Sequence, residues 1–190
     1  MAQITEICWH GRAGQGAKTA ALMLAEAGLK EGKHIQGFPE YGPEREGAPI
    51  RAYTRISTQP IRRHCQVTSP EAVVVLDDSL LDVVDVTAGL LDKGFILVNT
   101  TESPEEIGKK VGWKKSQVYT VDATGISLDI LKRNLPNMPM LGALVAATQL
   151  IKLDTLMDSI KKKFEKKFGS QVVEGNIKAI KKAYEEVKSQ

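Results

Sequence analysis

The residues Gly11-Arg12-Ala13-Gly14-Gln15-Gly16 carry the first arrangement with chemical potential. Glycines let a backbone approach a phosphate closely, and a turn that opens a helix presents N–H groups and the positive end of the helix dipole to an anion. Lys18 and Thr19 add a cation and a hydroxyl. Neither standard phosphate motif fits. A Walker loop needs lysine directly after its last glycine, and Ala17 intervenes. The dinucleotide fingerprint is Gly-x-Gly-x-x-Gly, whereas these glycines fall at 11, 14 and 16. Glu40 follows Pro39 and is poorly placed as a ribose-binding acid. The cofactor- or anion-binding candidates are thus Gly11, Arg12, Gly14, Gln15, Gly16 and Lys18. A plainer alternative is that the glycines only let a helix pack on its sheet.

The second arrangement is Tyr41-Gly42-Pro43-Glu44-Arg45-Glu46-Gly47-Ala48-Pro49-Ile50-Arg51-Ala52-Tyr53. Five of the seven arginines lie between Arg45 and Arg63, which concentrates planar forks suited to carboxylates, phosphates and interfaces. Glycines and prolines fix the path of the loop without periodic structure. Tyr41, Glu44, Arg45, Arg51 and Arg55 are the candidates for a docking surface, against a solvated strand face as the alternative.

Other titratable groups point to no catalyst. His10 ends a strand beside the glycine loop and is a proton carrier or a packing residue; His34 and His64 have no evident partner. Asp77, Asp78 and Asp122 stand at strand ends, where α/β sheets place ligands, but helix capping accounts for them more simply than magnesium. Cys8 and Cys65 form no Cys-x-x-Cys pair, so the chain cannot build a zinc or iron–sulfur site alone. No Ser–His–acid spacing stands out.

The elements that must position these groups can be read from periodicity. Ile4–Trp9 reads as a buried strand, followed by the glycine turn and a helix with small residues at Ala17, Ala20, Ala21, Leu24, Ala25 and Gly28. His34–Phe38 reads as a second strand. Ile50, Ala52, Thr54 and Ile56 alternate with Arg51, Tyr53 and Arg55, predicting a strand with one apolar and one basic face. Residues 61–67 pair with it in this reading, through a turn at 58–60. Further strands are predicted at 73–76, 95–98 and 118–121. Helices are predicted from the Ser103-Pro104-Glu105-Glu106 start and over 124–134, 139–150, 155–168 and 171–188. This is an α/β, Rossmann-like fold: a mostly parallel but mixed sheet with helices on both faces. Residues 1–190 are expected to form one domain.

The chain has 190 residues, 42% hydrophobic and 26% charged, enough to bury a core without disulfides or metals. Two thiols without a framework suit a reducing cytoplasm. No apolar run is long enough to span a bilayer, so no membrane role is expected. The net charge of +3 is uneven, because residues 161–190 hold nine lysines and four glutamates, +5, leaving −2 elsewhere. That tail lacks the arginines and interleaved aromatics of a nucleic-acid surface, and helical spacing makes its lysines a solvated face.

The two long motifs together resemble the gamma subunit, or equivalent domain, of 2-oxoacid:ferredoxin oxidoreductases. The family's Gly-Arg-Gly-Gly-Gln-Gly loop is matched except at Ala13, and its Tyr-Gly-Pro-Glu-Arg-x-Gly-Ala-Pro run is matched at 41–49. Leu97-Val98-Asn99-Thr100, Val121-Asp122-Ala123-Thr124, Asn137–Ala143 and Asn176–Tyr184 resemble later family segments, so the likeness spans nearly the whole chain. His10, Ala17 and Lys18 look closest to pyruvate members, with branched-chain 2-oxoacid members the nearest alternative. The resemblance implies a subunit that is not catalytic alone, within a complex using thiamine diphosphate, Mg2+, iron–sulfur clusters and coenzyme A, with alpha, beta and delta partners and ferredoxin as acceptor. It implies no cofactor held by this chain alone, with coenzyme A or a neighbouring subunit near the glycine loop. A stand-alone nucleotide-binding module and a purely structural partner remain the alternatives from other classes.

Overall fold

The computed structural model describes residues 4–40, 47–113 and 117–189. Among these residues seven strands share one sheet: β1 (Ile4–Arg12), β2 (His34–Pro39), β3 (Pro49–Ser57), β4 (Ala72–Val75), β5 (Phe95–Asn99), β6 (Val118–Val121) and β7 (Lys188–Ser189). Their order is β2-β3-β1-β4-β5-β6-β7. Strands β1, β4, β5 and β6 run parallel, β3 is antiparallel to both β1 and β2, and β7 is antiparallel to β6. The chain leaves β1 towards one side of the sheet and returns on the other at β4. The carboxyl ends of β1 and β4 therefore form the crevice where open α/β sheets place ligands.

Among the described residues six helices cover the sheet unequally. They are α1 (Ala17–Lys30), α2 (Pro104–Lys110), α3 (Ala123–Leu131), α4 (Asn137–Thr148), α5 (Leu153–Glu165) and α6 (Ser170–Glu186). Residues of α1 and α3–α6 pack with Trp9, Val74 and Leu97 on one face. On the other, Val73, Val75, Ile96 and Val98 meet Ile107 of α2 and the apolar residues Leu80, Val86 and Leu90. Burying each such side chain contributes roughly 1.5–3 kcal/mol. Helix α4 is apolar all round, and Asn137 to Val145 are all buried. This is the pattern of a helix enclosed by other elements. Gly142 lets it lie against the α6 backbone, since a Cβ there would overlap the Ile180 carbonyl.

The mixed α/β sheet with helices on both faces is the architecture that the sequence predicts. The start of α2 is also as read: Ser103 Oγ accepts from Glu106 N–H at 3.3 Å, and Glu106 accepts from Ser103 N–H at 2.8 Å, a reciprocal capping box.

Several local expectations are corrected. Residues 61–67 form no strand, because β1 and β2 already occupy the two edges of β3. Strand β1 runs to Arg12, so Gly11 and Arg12 sit in the ladder opposite Ile50 and Pro49 and the turn proper begins at Ala13. The basic face of β3 is largely covered, with Arg55 1% and Tyr53 3% exposed. The two-residue β7 has too little pattern to be read from sequence.

Candidate functional site

The glycine turn is held from two sides. Gly14 and Gly16 have φ of 102° and 84°, and these are the loop's left-handed positions. Both fall on glycine, the residue that adopts them without strain, and Ala13 lies outside that region. A Cβ on Gly14 would meet open space, whereas one on Gly16 would stand 2.9 Å from the Asn137 Cγ. Asn137 opens α4, so this contact seats the loop on the buried helix.

The second side is the end of the arginine–proline segment. Ala13 N–H donates to the Ala48 carbonyl at 2.9 Å, and Arg12 Nη1 donates to the Gly47 carbonyl at 3.1 Å. The two motifs, more than thirty residues apart in sequence, thus share one surface. Tyr41, Glu44 and Arg45 lie outside the described residues.

Arg12 and Gln15 are engaged within the chain. Arg12 Nη2 donates to Ser79 Oγ at 2.8 Å, and its Nε lies 3.5 Å from Asp77. Gln15 accepts from Arg12 N–H at 2.8 Å and donates to Asp77 at 2.5 Å. Burial pushes the Asp77 carboxyl up, but hydrogen bonds from Ser79 and Gln15 and the Arg12 charge outweigh it and hold it below the usual carboxylate range. Asp77 also caps the short 3-10 turn at Asp78–Asp82. Asp122 caps α3 by accepting from Gly125 N–H at 2.7 Å. Asp77 and Asp122 have the capping roles read from sequence, whereas Asp78, read in the same way, is the first residue of the 3-10 turn and not its cap. No group of three metal-ligating side chains occurs among the described residues.

Beside the loop, a cleft of about 310 Å³ runs along the carboxyl ends of β4, β5 and β6, lined by Gln15, Asp77, Asp78, Asn99, Thr100 and Asp122 among others. Asn99 pins its floor. Its Nδ2 donates to the Leu76 carbonyl and to Thr124 Oγ1, each at 2.8 Å, and its Oδ1 accepts from Thr124 N–H at 3.0 Å. Three carboxylates, Asp77, Asp78 and Asp122, line the cleft, while Lys18 stands in the first turn of α1 beside the loop.

Behind the loop, on the opposite face of β1 and β3, a polar cluster runs from buried Cys8, His10 and Tyr53 out to Glu40 and Arg51 at the surface. Cys8 Sγ lies 3.3 Å from His10 Nε2. Arg51 pairs with Glu40 at 2.7 Å, and Tyr53 Oη donates to Glu40 at 2.5 Å. Glu40, set aside as a ribose acid, is the partner of both. Burial pushes the Cys8 thiol up to about 12, so it stays protonated and is no nucleophile. Burial, then the Arg51 charge, lowers His10 from its ordinary 6.5 to about 4, against the opposing pull of Glu40 and Asp85. His10 is 7% exposed and neutral at physiological pH, which fits packing better than proton carriage.

A pH dependence follows. Between about 4 and 6.5 the unfolded chain binds a proton at His10 that the folded chain does not, so this contribution to stability is complete above pH 6.5 and is lost as pH falls towards 4. By pH 5 the loss amounts to about 2 kcal/mol. Urea unfolding of wild type and His10→Gln at pH 7 and pH 5 reads it directly; equal losses in both would show that His10 titrates normally.

Arg55 is the deepest charge. Its Nε donates to Glu6 at 2.5 Å, Nη1 to Gln36 at 3.0 Å and Nη2 to the Cys65 carbonyl at 2.8 Å, and the guanidinium lies over Phe38. It supports β2, β3 and the 61–67 segment from inside. Arg51 is about half exposed and reaches the surface. The roles of Asn137, Glu6 and Glu40 have no signal in the sequence, because each acts through a partner that only the fold brings to it.

Comparison with known proteins adds a second line of argument. Residues 6–186 match the family model described as pyruvate ferredoxin/flavodoxin oxidoreductase. The pyruvate synthase subunit PorC of Thermotoga maritima is 49% identical over 183 residues, covering 96% of this chain and 94% of the relative. A subunit gamma common to pyruvate and ketoisovalerate oxidoreductases, from Thermococcus kodakarensis, is 50% identical and covers 94% of this chain and 95% of the relative. The crystal structure of the pyruvate oxidoreductase subunit PORC of Thermotoga maritima superposes with a TM-score of 0.87 at 45% identity, covering 99% of both chains. A 2-oxoglutarate:ferredoxin oxidoreductase from Magnetococcus marinus shares the fold, with a TM-score of 0.77 at 19% identity, over 30% of its longer chain.

Proposed function

Because the chain belongs to the pyruvate ferredoxin/flavodoxin oxidoreductase family, we propose that it is the gamma subunit of a coenzyme A-dependent pyruvate:ferredoxin oxidoreductase. Such a complex decarboxylates pyruvate oxidatively to acetyl-CoA and CO2 and passes electrons to ferredoxin. The observation that carries the reading is near-full-length identity of 49% to a pyruvate synthase subunit, with the glycine loop built as the structure requires.

In this reading residues 1–190 are one domain, since all seven strands share a sheet. Thiamine diphosphate with its Mg2+ and the iron–sulfur clusters belong to alpha, beta and delta partners. This chain does not fit a cluster: Cys8 is buried on the sheet, Cys65 is exposed, and a cluster takes four thiolates. Coenzyme A fits better at the loop. Open space above Gly14, the start of α1 and the Lys18 charge suit its phosphates, while Gly11, Arg12, Gln15 and Gly16 hold the loop in shape through Asp77 and Asn137. The residues here bind and orient; none is assigned a bond-making role. The two free thiols suit a reducing cytoplasm, the compartment assigned in this reading.

Tyr41, Glu44, Arg45 and Arg51 form the subunit contact, with Arg55 bracing it from beneath. Arg51→Glu places a carboxylate against Glu40 at the surface and is expected to cut recovery of the assembled complex about tenfold with a change in Tm of only a few degrees. Wild-type co-purification of this variant would remove Arg51 from the interface.

The main test is affinity purification of the tagged chain from its native host grown without oxygen, assayed for pyruvate- and coenzyme A-dependent dye reduction. Three brown-coloured partner subunits with pyruvate activity support the reading; a lone colourless chain overturns it in favour of a nucleotide-binding module. The common-subunit relatives favour a second reading, in which the same chain also serves a branched-chain 2-oxoacid enzyme. Two distinct partner sets in the purified material would establish it.

A further inference from the structure

The helical face carries an apolar groove of about 640 Å³ that shares only Asn137 with the site above. Leu131 of α3, Leu135 and Met138 at the entry to α4, Phe164 and Phe168 around the end of α5, and Val172 of α6 line it. Phe168 is 50% and Val172 46% exposed. Isolated exposed apolar residues are ordinary, but a contiguous set around a concavity marks an interaction site. The walls are fixed. Phe164 and Phe168 meet edge to face with centroids 5.3 Å apart. Ser127 Oγ donates to the Arg133 carbonyl at 2.6 Å and accepts from Leu135 N–H at 2.9 Å, pinning the turn between α3 and α4. Gly175 lies within α6, where glycine costs roughly 1 kcal/mol against alanine. It borders the groove, and a Cβ there would press on Leu131 at 3.1 Å.

Charge narrows the choice of occupant. Among the described residues the only charged side chains lining the groove are Lys132 and Arg133. The lysine-rich helices beside it belong to the segment 161–190, whose formal charge is +5. A second copy of this chain would bring like charge to like. We propose that the groove seats an amphipathic segment of another subunit, with apolar side chains inserted beside Phe168 and carboxylates meeting Lys132 and Arg133. This rests on the subunit reading and places a contact on a different surface from the arginine–proline segment.

The test uses the full chain in the complex isolated from its host. A photo-reactive benzophenone side chain replaces Val172, and the crosslinked peptide is identified by mass spectrometry. Separately, Phe168→Asp and the pair Lys132→Glu with Arg133→Glu are scored for partner recovery at low and high salt. The expected result is a crosslink to an apolar segment bearing Asp or Glu on another subunit. Phe168→Asp should cut recovery of that subunit at least tenfold, and the charge reversal should act more strongly at low salt. Because the altered side chains reach the surface, circular dichroism should be unchanged; if a variant misfolds, the crosslink still decides. A crosslink to a second copy, no crosslink in an intact complex, or unchanged recovery of every variant would overturn the proposal and leave the subunit reading standing. Wild-type chain recovered without partners would overturn both.

Discussion

Gly16→Ala is expected to lower the melting temperature by roughly 6–12 °C, from about 3 kcal/mol at 2–4 °C per kcal/mol for a chain of this length. Two effects add. A side chain at φ 84° is strained by about 1–3 kcal/mol, and the new Cβ meets Asn137, a buried group with little room to give. Gly14→Ala separates them, because its φ of 102° carries strain while its surroundings are open. It should lose about half as much. Asn137→Ala combined with Gly16→Ala removes the nearest atoms and should recover the packing part alone. Thermal unfolding of the four chains checks this; equal losses for the two glycine variants would mean that the seat on α4 contributes nothing.

Arg55→Met carries the other large effect. The substitution leaves Glu6, itself 7% exposed, as a buried carboxylate whose remaining cation is the exposed Arg63 at 3.8 Å, and loss of the buried partner costs up to about 3–5 kcal/mol. It also removes the donors to Gln36 Oε1 and the Cys65 carbonyl. A fall in melting temperature of roughly 6–20 °C is expected, much larger than for Arg51→Met at the surface. Removing both charges, as Glu6→Leu with Arg55→Met, should restore at least half of the loss, since the penalty comes from the unpaired charge rather than from the missing pair. A double variant no better than Arg55→Met would show instead that the hydrogen bonds to Gln36 and Cys65 carry the stability.

The parts legible in the sequence were those that local chemistry dictates. Strand β1, the glycine turn and α1 announce themselves through an apolar run, three glycines and a small-residue stripe, and α2 through the cap Ser103 and its partner Glu106. Asp77 and Asp122 were read as caps because short acids at strand ends have that role nearby in sequence. What could not be read depends on distance along the chain. Alternation in β3 gave its two faces correctly, but nothing in residues 49–57 tells that Glu6 and Phe38 will cover Arg55. The strand expected at 61–67 failed for a similar reason: its composition allows pairing, yet β2 arrives first through the α1 crossover. Asn137 looked like a helix start, and only the fold brings it under Gly16.

The strand order has one more consequence, concerning how the sheet ends. One outer edge is β2, where Pro39 offers no N–H to an incoming strand and Gly37 weakens any ladder. The other would be β6, a short apolar strand, but Lys188 and Ser189 pair with Thr120 and Tyr119 and put an exposed lysine on that edge. A sheet finished in this way resists end-to-end growth into fibres, since neither border offers a long, flat, uncharged template. The two-residue β7, negligible as a source of folding energy, thus acts as a guard against aggregation while the chain waits for its partners.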